Sequence, residues 1–169
     1  MRFRSEFGRA CKLAGVLAIA VALAACARHS QPQEYGVGSI GSAAPGSPQD
    51  FASNVGDLVR FEVDSSALTG EAQGILRKQA VWLNRYPQYT ITVEGHADER
   101  GTREYNIALG ARRATAVKSF LAGQGVSAPR MRTISYGKER PIAVCDDISC
   151  WSQNRRAQTI LNSGAIAQN

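Results

Sequence analysis

Apolar and polar residues alternate over Val59-Arg60-Phe61-Glu62-Val63 and again over Thr90-Ile91-Thr92-Val93-Glu94, the period of a half-buried strand. Between these runs Leu68, Ala72, Ile75, Leu76, Ala80 and Leu83 recur at three- and four-residue spacing. That spacing predicts an amphipathic helix with Thr69 as its N-cap and Pro87 as its stop. Tyr105, Ala108, Leu109, Val117, Phe120 and Leu121 predict a second helix over about residues 103–122, closed by Gly123 or Gly125. Residues 131–136 and 158–161 read as two further strands. The order is βαβαββ, an α+β sandwich with helices packed on one mixed sheet, expected over residues 54–162 with a C-terminal tail over 163–169.

The N-terminal part breaks this pattern. Residues 13–25 (LAGVLAIAVALAA) are apolar and uncharged, and Arg2, Arg4, Arg9 and Lys12 precede them, the layout of an export signal. Thirteen residues rise about 20 Å as a helix, short of the roughly 30 Å of a bilayer core, so cleavage is expected rather than a permanent span. Leu23-Ala24-Ala25-Cys26 is similar to a bacterial lipobox. The similarity implies a signal peptide over residues 1–25, removed before Cys26, and covalent N-acyl and S-diacylglycerol lipid on Cys26, with no other cofactor. Ala27, where an Asp would retain such a protein, favours the outer membrane, with the domain in the periplasm. Cys11 falls inside the signal. Residues 27–50, rich in Gly, Ser, Pro, Gln and Ala, read as a disordered linker within a tether over 26–53. Its root-mean-square reach is roughly 25–30 Å and its taut reach roughly 80 Å.

The chain has 169 residues, enough for one domain with additional segments. Its 44% hydrophobic and 20% charged residues exclude a disordered acidic chain and a polytopic membrane protein. A formal charge of +6 hints at a nucleic acid or anionic partner. Four basic groups and the single Glu6 lie before Cys26, however, so removal of residues 1–25 halves that charge to +3. The remaining excess is too mild to argue for nucleic acid.

The chemistry concentrates in residues 94–114, EGHADERGTREYNIALGARRA. Asp98, Glu99 and Arg100 leave the second strand just before a helix N-terminus, where unpaired N–H groups favour an anion. Asn106, Leu109 and Arg113 follow one helical stripe. If that stripe faces the loop, Asp98 and Arg113 flank one pocket with Arg100 at its rim. A carboxylate opposite a guanidinium suits a zwitterion, pairing its ammonium on one side and its carboxylate on the other.

That motif, followed by Ser135-Tyr136-Gly137-Lys138-Glu139-Arg140-Pro141 and by Asn154-Arg155-Arg156-Ala157, resembles the OmpA-like C-terminal domain family. Within it, the chain closely resembles the peptidoglycan-associated lipoproteins of the Tol-Pal system, over about residues 55–162. The resemblance implies a non-enzymatic protein that binds the diaminopimelate residue of peptidoglycan non-covalently. It further implies TolB and other Tol proteins as partners, outer-membrane lipid as the anchor, and a role in outer-membrane integrity and constriction at division. Carried over to this chain, Asp98 and Arg113 would grip the ligand, Arg100, Thr102 and Leu109 would line the site, and Val63-Asp64 would contribute from the first strand's exit.

Other features carry less. His96, Asp98 and Glu99 could suggest a metal or acid–base cluster, but with one other His, on the tether, no zinc set is expected. No nucleophile–base arrangement stands out, so no catalytic residues are expected. Arg112-Arg113 and Arg155-Arg156 lack interleaved aromatics and read as solvated or salt-bridged cations rather than nucleic-acid contacts. Cys145 and Cys150 close a short loop and read as a disulfide in an oxidising compartment, with free thiols the alternative.

Overall fold

The computed structural model describes residues 43–162. The expected signal segment, the lipidation site Cys26, the tether up to residue 42 and the tail over 163–169 lie outside those residues. Strand β1 (Leu58–Arg60), helix α1 (Gly70–Arg85), strand β2 (Thr90–His96), helix α2 (Arg103–Gly123), strand β3 (Met131–Gly137), helix α3 (Ile148–Asn154) and strand β4 (Arg156–Asn162) follow in chain order. The sheet order is β1-β4-β2-β3, antiparallel at β1/β4 and β4/β2 and parallel at β2/β3. The fold is therefore the α+β arrangement on one mixed sheet that the periodicity predicts.

The alternation of β2 puts Ile91 and Val93 into the core, where Leu76, Leu83, Val117 and Leu121 of the two long helices meet them. Thr69 caps α1 by accepting from Ala72 N at 3.2 Å. Arg130 gathers the carbonyls of Leu83, Tyr86 and Tyr89 at the far end of α1, so a charged side chain satisfies a helix C-terminus and the following turn together. Buried Gln79 is paired on both sides, donating to Gly56 O at 2.7 Å and accepting from Thr159 Oγ1 at 2.8 Å.

Helix α2 approaches the sheet unusually closely because two glycines face each other. A Cβ on Gly95 would stand 1.8 Å from Gly110 O, and one on Gly110 would stand 2.8 Å from Gly95 O and 2.4 Å from Ser135 Oγ. The absence of both side chains lets the backbones touch. Arg113, one turn beyond Gly110, is consequently carried down against the end of β2.

Three local features differ from expectation. The first strand ends at Arg60 rather than Val63, because its partner β4 begins only at Arg156. Phe61 N still donates to Arg155 O at 2.9 Å, after which the chain turns and Asp64 adopts the left-handed region with φ 54°. The segment before β4 contains α3, whose seven residues are too few for a periodic signal; Asp147 caps it through Ser149 N.

The tether also ends earlier than residue 53. Pro48–Asp50 and Phe51–Val55 form a helical lead-in capped by Ser47, with Phe51 buried on Trp82 at a ring separation of 4.9 Å. Asp50 accepts from Trp82 Nε1 at 2.8 Å, and Tyr89 donates to Gly46 O at 2.9 Å. One aromatic residue in a polar stretch carries no period, yet its burial fastens the segment to the domain.

Candidate functional site

The loop leaving β2 delivers Asp98, the N-terminal half of α2 delivers Leu109 and Arg113, and the turn after β1 delivers Asp64. Together with Val63, Arg100, Gly101, Tyr105 and Asn106 they line one open pocket of about 250 Å³. Thr102 is the exception among the residues singled out from the sequence. It caps α2 by accepting from Tyr105 N at 3.2 Å, so it orients the helix rather than lining the pocket.

Asp98 is 7% exposed and lies between two arginines. Arg100 donates to it through Nε at 3.2 Å and Nη2 at 2.7 Å, and Arg155 Nη1 lies 3.4 Å from Oδ2. Burial pushes the carboxyl up, but the hydrogen bonds and charge of Arg100, with the further bond from Arg155, outweigh it and hold the group below the usual carboxylate range. Asp98 is thus an ionised acceptor, poorly suited to deliver a proton.

Arg113 is fully buried. Its Nε donates to Ser65 O at 2.8 Å, Nη1 to His96 O at 2.8 Å and Nη2 to Glu62 O at 3.1 Å. Phe61 stacks at 5.1 Å from the guanidinium carbon. Burial lowers its pKa to about 10, opposed by the Asp98 charge and reinforced by Arg155, so it remains a cation at neutral pH. Of the five N–H groups of a guanidinium these bonds use three, and the other two have no hydrogen-bond partner among the described residues. The fixed fork is pre-organised by backbone from the turn after β1 and from the last residue of β2.

The loop is braced on three sides. Asn106 Nδ2 donates to Arg100 O at 2.8 Å, and Lys138 Nζ donates to Gly101 O at 2.7 Å and to Glu99 O at 3.1 Å. On the third side α3 supplies Trp151, whose indole N–H bonds the Glu99 carboxylate while its ring lies 4.3 Å below the Arg100 guanidinium. Tyr105 donates its hydroxyl to the Asp64 carboxylate across the pocket.

Sequence reasoning missed Tyr105, Trp151 and the part played by Arg155. Tyr105 shares the helical stripe of Leu109 and Arg113 at four-residue spacing, a signal available but not used. Trp151 and Arg155 also stand four apart, within and at the C-cap of a helix too short to be seen. Neither arginine of the 155–156 pair is solvated: both are buried, Arg155 against Asp98 and Arg156 donating to Arg140 O at 3.2 Å. Cys145 and Cys150 are joined by a disulfide, with a Cα separation of 5.7 Å. His96 lies beside Tyr136 with Nε2 3.6 Å from Glu94 Oε2, and among the described residues no cluster of three metal-ligating side chains is present.

The OmpA family pattern matches residues 60–160. The chain is 62% identical over 154 residues to the peptidoglycan-associated lipoprotein of Agrobacterium fabrum, covering 89% of this chain and 87% of that protein. This chain belongs to the OmpA family, among the peptidoglycan-associated lipoproteins. The likeness extends to Haemophilus influenzae, whose peptidoglycan-associated lipoprotein is 42% identical over 160 residues, covering 90% of this chain and 97% of that one. In three dimensions, the crystal structure of the Burkholderia pseudomallei member matches with a TM-score of 0.65 at 38% identity, covering 69% of this chain and all of that chain. The C-terminal domain of Helicobacter pylori MotB matches with a TM-score of 0.60 at 26% identity, covering 64% and 86% respectively.

Proposed function

We propose that this protein is a non-enzymatic anchor that binds peptidoglycan through the diaminopimelate of its stem peptide. The observation that carries the reading is the pocket itself, in which the ionised Asp98 and the buried, backbone-locked Arg113 stand as opposite charges around one cavity. The side-chain end of diaminopimelate holds an ammonium and a carboxylate on one carbon. Asp98 takes the ammonium and the two free N–H groups of Arg113 take the carboxylate, with Leu109 against the methylene chain and Asp64 at the rim. Because Arg100 already pairs with Asp98, ligand entry requires its guanidinium, 41% exposed at the pocket rim, to share or yield that carboxylate.

By the same reading Cys26 carries the N-acyl and S-diacylglycerol lipid that holds the chain in the outer membrane, with the domain in the periplasm. TolB and other Tol proteins are its partners in maintaining the outer membrane and constricting it at division. Support comes from the names of the relatives and from a tether of suitable length, while weak single-site binding is compensated by many anchors facing one polymer.

Calorimetry with a diaminopimelate-containing peptide tests the site. Asp98→Asn should keep the fold and lose about 2 kcal/mol of binding or more, roughly thirtyfold, because it leaves the ligand ammonium unpaired. Arg113→Ala is the less clean variant, since three backbone carbonyls lose their donor with it. Undiminished binding by Asp98→Asn would refute the site, and retention of TolB on the immobilised protein tests the partner.

A further inference from the structure

On the outer face of α1, Arg77, Val81 and Arg85 stand four residues apart with Lys78 beside them, all exposed, Val81 by 72%. With Asn54, Val55 and Trp82 they border a shallow groove of about 390 Å³ between the helix and the lead-in. None of the three cations has an ion pair or a side-chain hydrogen bond among the described residues. The carboxylate nearest Trp82, that of Asp50, is occupied by Trp82 Nε1, Gly46 N and Asn54 Nδ2. The groove is thus a basic rim around an apolar floor.

Its position matters as much as its charge. Gly46 is tied to Tyr89, and Asp50 to Trp82, so the chain that precedes residue 46 departs from the C-terminal end of α1, beside the groove. Asp98 lies beyond the opposite end of β2, a strand of seven residues and therefore about 20 Å long. The residues at which the chain enters the domain and the basic groove share one end of it, and the ligand pocket occupies the other.

We propose that this groove docks on anionic phospholipid, with headgroup phosphates on Arg77, Lys78 and Arg85 and Val81 entering the headgroup layer. The inference rests on the lipid-anchor reading of Cys26, which places a phospholipid surface within reach of this end of the domain. Each cation near an anionic surface strengthens binding about fivefold, so three give about a hundredfold, too little to hold a free protein at physiological salt. A tether raises the local concentration and makes so weak a contact effective. The docked domain keeps the Asp98 pocket facing away from the membrane.

The test uses the chain from residue 26 onward with Cys26→Ser, so that no lipid contributes, sedimented with vesicles of phosphatidylcholine alone or mixed with phosphatidylglycerol. Binding is expected to the mixed vesicles at low ionic strength, to vanish at high salt, and to fall about a hundredfold in the Arg77→Gln, Lys78→Gln, Arg85→Gln triple variant. The triple variant should bind the diaminopimelate peptide normally, which controls for folding. Equal binding to neutral vesicles, undiminished binding by the triple variant, or loss of binding only when residues 27–42 are deleted would overturn the proposal. The anchor reading is tested separately by palmitate labelling of the wild-type chain, which Cys26→Ser should abolish and the triple variant should leave intact.

Discussion

Arg155 reaches Asp98 across 57 residues of sequence, its Nη1 3.4 Å from Oδ2 while its Nε donates to Phe61 O at 3.1 Å. A residue at the C-terminal end of α3 therefore ties the loop after β2 to the exit of β1, and the ligand pocket lies between those two segments. Arg155→Ala should lower stability by roughly 1–3 kcal/mol, because a buried carbonyl and part of a buried carboxylate lose their donor. Urea unfolding measures that loss. Trp151→Ala should instead leave stability nearly intact and weaken ligand binding several-fold, since it removes the platform under Arg100 and the donor to Glu99. Calorimetry on both variants separates the two effects.

The disulfide acts through the same helix. Cys150 lies within α3 and Cys145 in the loop before it, and the loop they close is short. Chain-entropy arguments assign such a loop about 2 kcal/mol. The Cys145→Ser, Cys150→Ser double variant should lose at most that much stability, read as a lower urea midpoint. It should also bind the diaminopimelate peptide more weakly, because Trp151 and Arg155 are carried by the loosened helix. Unchanged affinity in the double variant would show that α3 is held by its other contacts.

Gly95→Ala should be among the most damaging small substitutions. Its methyl would meet backbone, Gly110 O, at 1.8 Å, so α2 must move off the sheet rather than a side chain give way. A loss of about 3 kcal/mol or more is expected, together with ligand affinity, since Arg113 moves with the helix. Thermal melting and calorimetry read the two losses.

His96 makes acid stability measurable. Burial, followed by the charges of Arg156 and Arg140, lowers its pKa from 6.5 to about 4, and neither Glu94 at 3.6 Å nor neighbouring Tyr136 offsets this. Its ring nitrogens have no hydrogen-bond partner among the described residues. Between pH 6.5 and 4 the unfolded chain binds the proton and the folded chain does not. This contribution is therefore complete above pH 6.5 and is lost as pH falls, by at most about 3 kcal/mol. Asp98, also held low, acts only at still lower pH. His96→Gln should flatten the slope of stability in that window, as urea titrations at several pH values would show.

Local pattern by itself determined the two long helices, the strand alternation at β2, the N-cap Thr69 and the shared stripe of Leu109 and Arg113, because each depends on periods of two or 3.6 residues and on neighbours within a few positions. It likewise determined the opposite charges of Asp98 and Arg113 at the end of one strand and along one helix. Only the tertiary structure decided that Arg113 is buried and bonded to three carbonyls, that Arg155 and Trp151 brace the loop, and that Phe51 belongs to the core. Those contacts join residues tens of positions apart. They are set by sheet register, by the close approach of Gly95 and Gly110, and by the packing of a short helix, none of which leaves a period in the chain.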